Sequence, residues 1–166
     1  MCWLIRSVRA SRWPALSAQQ ITVDIIQQAS KDLIPRPEDS GGLSVYQVAD
    51  AADARLTGIL HVVLSRKPTT THYLRIESAH IDRLSIEVKH EYASKQHHYL
   101  QLRHRNLYGI TEAVASSLAE AILRDGADCF TLTEGVIKSE GRKILLNPEF
   151  ASHVAFPDAY RTPARG

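Results

Sequence analysis

Between residues 84 and 105 the chain changes character at almost every step. Leu84, Ile86, Val88 and His90 alternate with Ser85, Glu87, Lys89 and Glu91. Beyond a polar stretch over residues 92–96, His98, Leu100, Leu102 and His104 alternate with His97, Tyr99, Gln101, Arg103 and Arg105. Successive side chains of an extended chain point to opposite faces. A period of two on both sides of a five-residue loop therefore predicts an antiparallel hairpin with one buried face.

Two other segments repeat at helical spacing. Ile21, Ile25, Ala29 and Leu33, with Ile26 beside them, form one apolar face. They predict a helix from a cap at Ser17 to about Leu33, ended by Pro35 and Pro37. Leu107, Ile110, Val114, Leu118, Ala121 and Ile122 predict a second, capped by Asn106 and stopped at Gly126. Residues 2–8, 43–48, 58–64, 72–77 and 129–133 read as strands, and residues 49–55 as a short alanine-rich helix. Residues 136–138 and 142–146 read as a second hairpin. Successive strands joined by short loops favour antiparallel pairing. The expected fold is α+β, mainly antiparallel sheet with two long helices packed on one face. Residues 1–156 are expected to form a single domain, and residues 157–166 a loose tail.

Hydrophobic residues make up 44% of the 166 and charged residues 23%. This excludes collagen, coiled-coil, low-complexity and largely disordered classes. No apolar run is long enough for a spanning helix. The net charge of +2 is too small to mark a nucleic-acid binder, but it is unevenly spread. Residues 55–105 hold nine basic and four acidic side chains, and seven of the eight histidines. Cys2 and Cys129 lie far apart and form no CxxC pair, which fits a reducing compartment, and a cytoplasmic location is expected. The acid-free start, MCWLIRSVRASRW, has the composition of a transit peptide, but an ordered first strand or helix is the better reading.

The hairpin's polar face would carry Lys89, His97, Tyr99, Arg103 and Arg105, with Lys95 in its loop. Guanidinium forks match phosphate or carboxylate oxygens, and a tyrosine ring offers a stacking surface. Glu87 and Glu91 on the same face weaken its field, and the bland alternative is a solvated strand with cross-strand ion pairs. His90 and His98 would share the other face. His97 would point away from His98, so that pair could not hold one ion, and no metal motif is present. No metal or other cofactor is expected.

The loop over residues 35–42 (PRPEDSGG) combines Arg36 with paired glycines, which let backbone amides approach a ligand, though no phosphate-loop motif is present. Nucleophilic catalysis has no recognisable signature. Glu134 and Glu140 could meet across the last hairpin but carry no assigned role. Trp3, Leu4, Ile5, Val8 and Trp13, with Arg6, Arg9 and Arg12, could dock on a partner or form the first strand of the core.

The leading expectation is a small non-catalytic binding or assembly module, contacting nucleic acid or an acidic protein partner through the cationic hairpin. One alternative is a phosphoesterase, nuclease-like or nucleotide-handling enzyme that uses a histidine and the 35–42 loop, its concave site holding Arg36, a histidine and an acid within hydrogen-bond reach. Another is a subunit of an obligate complex or oligomer, docked through its N-terminal segment.

Overall fold

The apolar runs around Leu4, Val45 and Leu74 become the three central strands of one six-stranded sheet. The computed structural model describes residues 2–91 and 97–161. Its strands are β1 (Trp3–Val8), β2 (Leu43–Val48), β3 (Thr71–Glu77), β4 (Glu87–Lys89), β5 (His104–Tyr108) and β6 (Asp128–Leu132). They lie in the order β4-β5-β2-β1-β3-β6, and every neighbouring pair is antiparallel. Around them fold α1 (Val23–Ser30), α2 (Ala51–Ser65), α3 (Ser78–Arg83), α4 (His98–Arg103), α5 (Glu112–Arg124), α6 (Glu134–Leu145) and α7 (Pro148–Ala151). The α+β class with an antiparallel sheet is as the sequence predicts. Among the described residues no helix is long and apolar enough to cross a membrane.

Helices cover both faces of the sheet. Leu4, Leu43, Val45, Leu74, Ile76 and Leu107 pack with Ala29 at the end of α1 and with Ala115, Leu118 and Ile122 of α5. The expected apolar faces of those two helices thus lie in one core cluster. Ile5, Tyr46, Val48, Tyr73 and Leu132, from the opposite face, pack with Leu60 and Val63 of α2, Leu100 of α4 and Ile137 of α6. The central strands carry apolar side chains at adjacent positions, such as Leu4-Ile5 and Tyr73-Leu74, because both of their faces are covered.

Residues 58–64 are not a strand but the second half of α2. This half of the helix is buried nearly all round, so its sequence shows no helical period. Gly58 sits where a side chain would press on Leu132 and Tyr73. The short helix expected over residues 49–55 is the start of α2, capped by Asp50, whose carboxylate accepts from the Asp53 amide at 2.8 Å. Residues 136–145 are likewise helical, in α6, capped by the Thr133 side chain, with Leu146 just past its end. Glu134 therefore pairs with Lys138 and Glu140 with Lys143, and the two acids do not meet across a hairpin.

The first predicted helix is shorter than expected, with Thr22 and not Ser17 as its cap. Likewise Asn106 lies within β5, and α5 starts beyond it with Thr111 as its cap. The N-terminal segment forms the centre of the sheet: Leu4, Ile5 and Trp13 are buried in the chain's own core. Pro157–Tyr160 forms a short 3-10 turn, and Tyr160 is fully buried against Gly141.

Candidate functional site

The predicted hairpin does not form as drawn. Glu87–Lys89 does pair with β5, through Glu87↔Tyr108, Val88↔Leu107 and Lys89↔Asn106. Residues 98–103, expected to be its second strand, are helix α4. Tyr99 and Arg103 explain the choice. The Tyr99 hydroxyl and the Arg103 Nε donate to one oxygen, Asp53 Oδ1, at 3.0 and 3.1 Å. Residues four apart stand about 5–6 Å from each other on a helix, but roughly 13 Å apart along a strand. The helix thus sets the two side chains next to each other at one carboxylate.

The remaining candidates are dispersed. Lys89 lies 3.3 Å from Glu87 and over the Tyr108 ring. Arg105 Nη1 donates to the carbonyls of Leu102 and His104. His97 accepts from the Tyr99 amide and packs against Phe150 and His153. Lys95 lies outside the described residues. His90 bonds the Gln101 carbonyl at 3.0 Å, and His98 is exposed on α4, so they do not face each other across a ribbon. No group of three or more His, Cys, Asp or Glu among the described residues could hold a metal ion.

Arg36 takes a different place. β1 ends where β2 and β3 begin, and at that end of the sheet a cleft of about 560 Å³ opens between the end of α1, the 35–42 loop and the α2–β3 connection. Six cationic side chains line it (Arg6, Arg9, Arg12, Lys31, Arg36 and Arg66) against two carboxylates, Asp32 and Asp39.

Asp32 builds one wall and is saturated in doing so. Its Oδ1 accepts from Arg12 at 2.6 Å, and its Oδ2 accepts from the Trp13 indole and the Arg9 amide, both at 3.0 Å. These bonds pin the turn after β1 to the end of α1. The Arg6 guanidinium donates Nε to the Asp32 carbonyl at 2.6 Å and Nη1 to the Ser44 carbonyl at 2.7 Å. Burial and the neighbouring Arg36 push it down to about 10, against the pull of Asp32 and Asp39. It stays cationic at neutral pH. Arg9, Arg36 and Arg66 form no ion pair among the described residues.

His72 lines the cleft, whereas His104 lies outside its lining, bonded to Ser44. His61 also lines the cleft. Its Nδ1 lies 2.8 Å from the Tyr73 hydroxyl, which donates to the Gly58 carbonyl at 3.1 Å. A carbonyl only accepts, so the single hydroxyl proton goes there and His61 Nδ1 must donate, leaving a lone pair on Nε2. Burial, with Arg66, Arg6 and His104 nearby, pushes this imidazole down to about 3, so it is neutral at pH 7. His104, buried on β5, has Nε2 2.7 Å from Ser44 Oγ and Nδ1 2.9 Å from the Glu91 carbonyl.

Arg36, His61, Asp32 and Asp39 line one concavity, but no hydrogen bond or ion pair joins the Arg36 guanidinium to a histidine or an acid among the described residues. Sequence reasoning assigned no site role to Asp32, Ser44 or Arg66, and it placed Arg6, Arg9 and Arg12 on a docking segment. The arginines share the net positive charge of residues 1–23 and 55–105, whereas Asp32 and Ser44 lie in the net-negative stretch between, and nothing in the spacing says that these stretches meet. No family model, curated protein or solved structure matches this chain.

Proposed function

We propose that the chain binds a phosphate-bearing ligand, a nucleotide or the phosphates of a nucleic-acid strand, in this cleft. The observation that carries the reading is the convergence of six cationic side chains on one concavity that holds two carboxylates, one of them already neutralised by Arg12. Unpaired arginines on a convex surface are simply solvated. Gathered round a concavity, they present guanidinium forks whose geometry matches phosphate oxygens. The cleft volume lies within the range that holds small organic ligands, which favours a ligand that enters over an acidic protein that lies across. The neutral His61 adds a hydrogen-bond acceptor for a ligand hydroxyl or amide. The α4 surface is less suited, because Tyr99 and Arg103 are committed to Asp53.

Calorimetric titration with pyrophosphate, a nucleoside triphosphate and a short single-stranded RNA tests the reading. Binding should weaken steeply as salt rises, since each phosphate contact releases counterions. The double variant Arg36→Glu, Arg66→Glu should weaken it by about tenfold or more, as expected for loss of charge-assisted bonds. No binding by the wild-type chain, or equal binding by the double variant, overturns the proposal.

A further inference from the structure

Ser44 and Gln47 interrupt the apolar run of β2, and Ser44 lines the cleft. His104 is Tyr46's partner across the β2–β5 ladder, which makes Ser44 its diagonal neighbour on the same face. The Glu91 carbonyl can only accept, so His104 Nδ1 carries a proton, and in the neutral ring Nε2 accepts from the Ser44 hydroxyl 2.7 Å away. A hydroxyl on a base, a base held in one tautomer by a third group, and a cleft that the hydroxyl's residue shares with six cations are the parts of an activated nucleophile. Arg6, bonded to Ser44's own carbonyl, sets a fixed positive charge beside it.

We propose that Ser44 is the nucleophile, and His104 the general base, for transfer of a phosphoryl group from a phosphate ester held in the cleft. The proposal rests on the phosphate-binding reading. Ser44 Oγ attacks phosphorus, and the Oγ–P bond forms as the bond to the ester's leaving oxygen breaks. The Oγ proton passes to His104 Nε2 and from there to the departing oxygen, releasing an alcohol. Water then attacks the phosphoserine and gives a proton to His104. Ser44 Oγ leaves and takes that proton back, so one water is consumed and phosphate is released. Arg6 and the other arginines balance the charge that builds on the phosphoryl oxygens.

The test uses the full chain. A fluorophosphonate probe is added with and without excess pyrophosphate, and the labelled residue is mapped by peptide mass spectrometry. Release of 4-nitrophenolate from bis(4-nitrophenyl) phosphate is followed in parallel. The expected result is a label on Ser44 that pyrophosphate blocks and that forms faster as pH rises through a single ionisation. Nitrophenolate release should be abolished in Ser44→Ala and slowed about 10²–10⁴-fold in His104→Gln. Labelling of the wild-type chain needs no variant to fold. Absence of label on Ser44, label that pyrophosphate does not block, or unchanged release by Ser44→Ala overturns the proposal. If pyrophosphate still binds in an Arg36- and Arg66-dependent way, only the catalytic inference falls; if it does not bind, the reading beneath it falls too.

Discussion

The Arg103 guanidinium lies over the Tyr99 ring, 3.7 Å from its centroid, and both side chains end on the same oxygen of Asp53. This stack ties a helix of six residues, too short to persist on its own, to the first turn of α2. Asp53 also accepts from the Ala49 amide at 2.9 Å. Burial alone would raise its carboxyl, but the Ala49 amide, Tyr99 and Arg103 outweigh that and hold it below the usual value of 3.8.

Asp53→Ala should therefore cost about 1–3 kcal/mol, the penalty for stranding partly buried donors, read as a shift in urea midpoint. The contribution is fully present above the unfolded carboxyl value and is lost as pH falls through the lower folded one. The wild-type and variant stabilities should converge on acidification. A midpoint that does not move would mean that Leu100 alone anchors α4.

His61 gives stability the same direction of pH dependence over a different range. Its folded value of about 3 lies below the ordinary 6.5, so between those limits the unfolded chain takes up a proton that the folded chain refuses. Stability present above pH 6.5 should fall on acidification by up to about 1.4 kcal/mol per pH unit. His61→Phe removes this term. Denaturation curves recorded from pH 7 to pH 4 should fall less steeply for the variant, and parallel slopes would contradict the assignment of a neutral, buried ring.

Gly141 and Tyr160 make opposite predictions at one contact. A side-chain carbon at Gly141 would overlap the Tyr160 ring, which is fully buried. Gly141→Ala should therefore destabilise by about 1–3 kcal/mol through overpacking, reversing the gain of about 1 kcal/mol that alanine usually brings to a helix interior. The Tyr160 hydroxyl is buried without a partner among the described residues. Tyr160→Phe should leave stability unchanged or raised, because it removes an unsatisfied polar group. Thermal melting of the two variants checks both signs.

Several core elements were legible in the sequence because their signals are local. The apolar faces of α1 and α5 show helical spacing, since each packs on one side only, and the Gly126 stop falls at a positive φ of 80°. Only the start of α2, within residues 49–55, was legible: its second half is buried around most of its circumference and has no polar face to mark its period. α6 was missed although Thr133 followed by Glu134 and Lys138 is a cap and an i,i+4 ion pair. Alternation over residues 97–105 fits a strand, yet Leu102 on the supposedly buried face is 44% exposed. The packing of Tyr99 and Arg103 on Asp53 outweighed that pattern.

The sequence by itself determined the α+β class, the core faces of two helices and a proline- and glycine-rich loop carrying Arg36, because each depends on residues within a few turns of one another. Tertiary structure alone decided the cleft. Arg6, Asp32, Ser44, Arg66 and His104 come from five separate segments and meet only when β1 inserts between β2 and β3. Charge and hydrogen bonding act through distance in space, and a linear chain encodes that distance only through its complete packing.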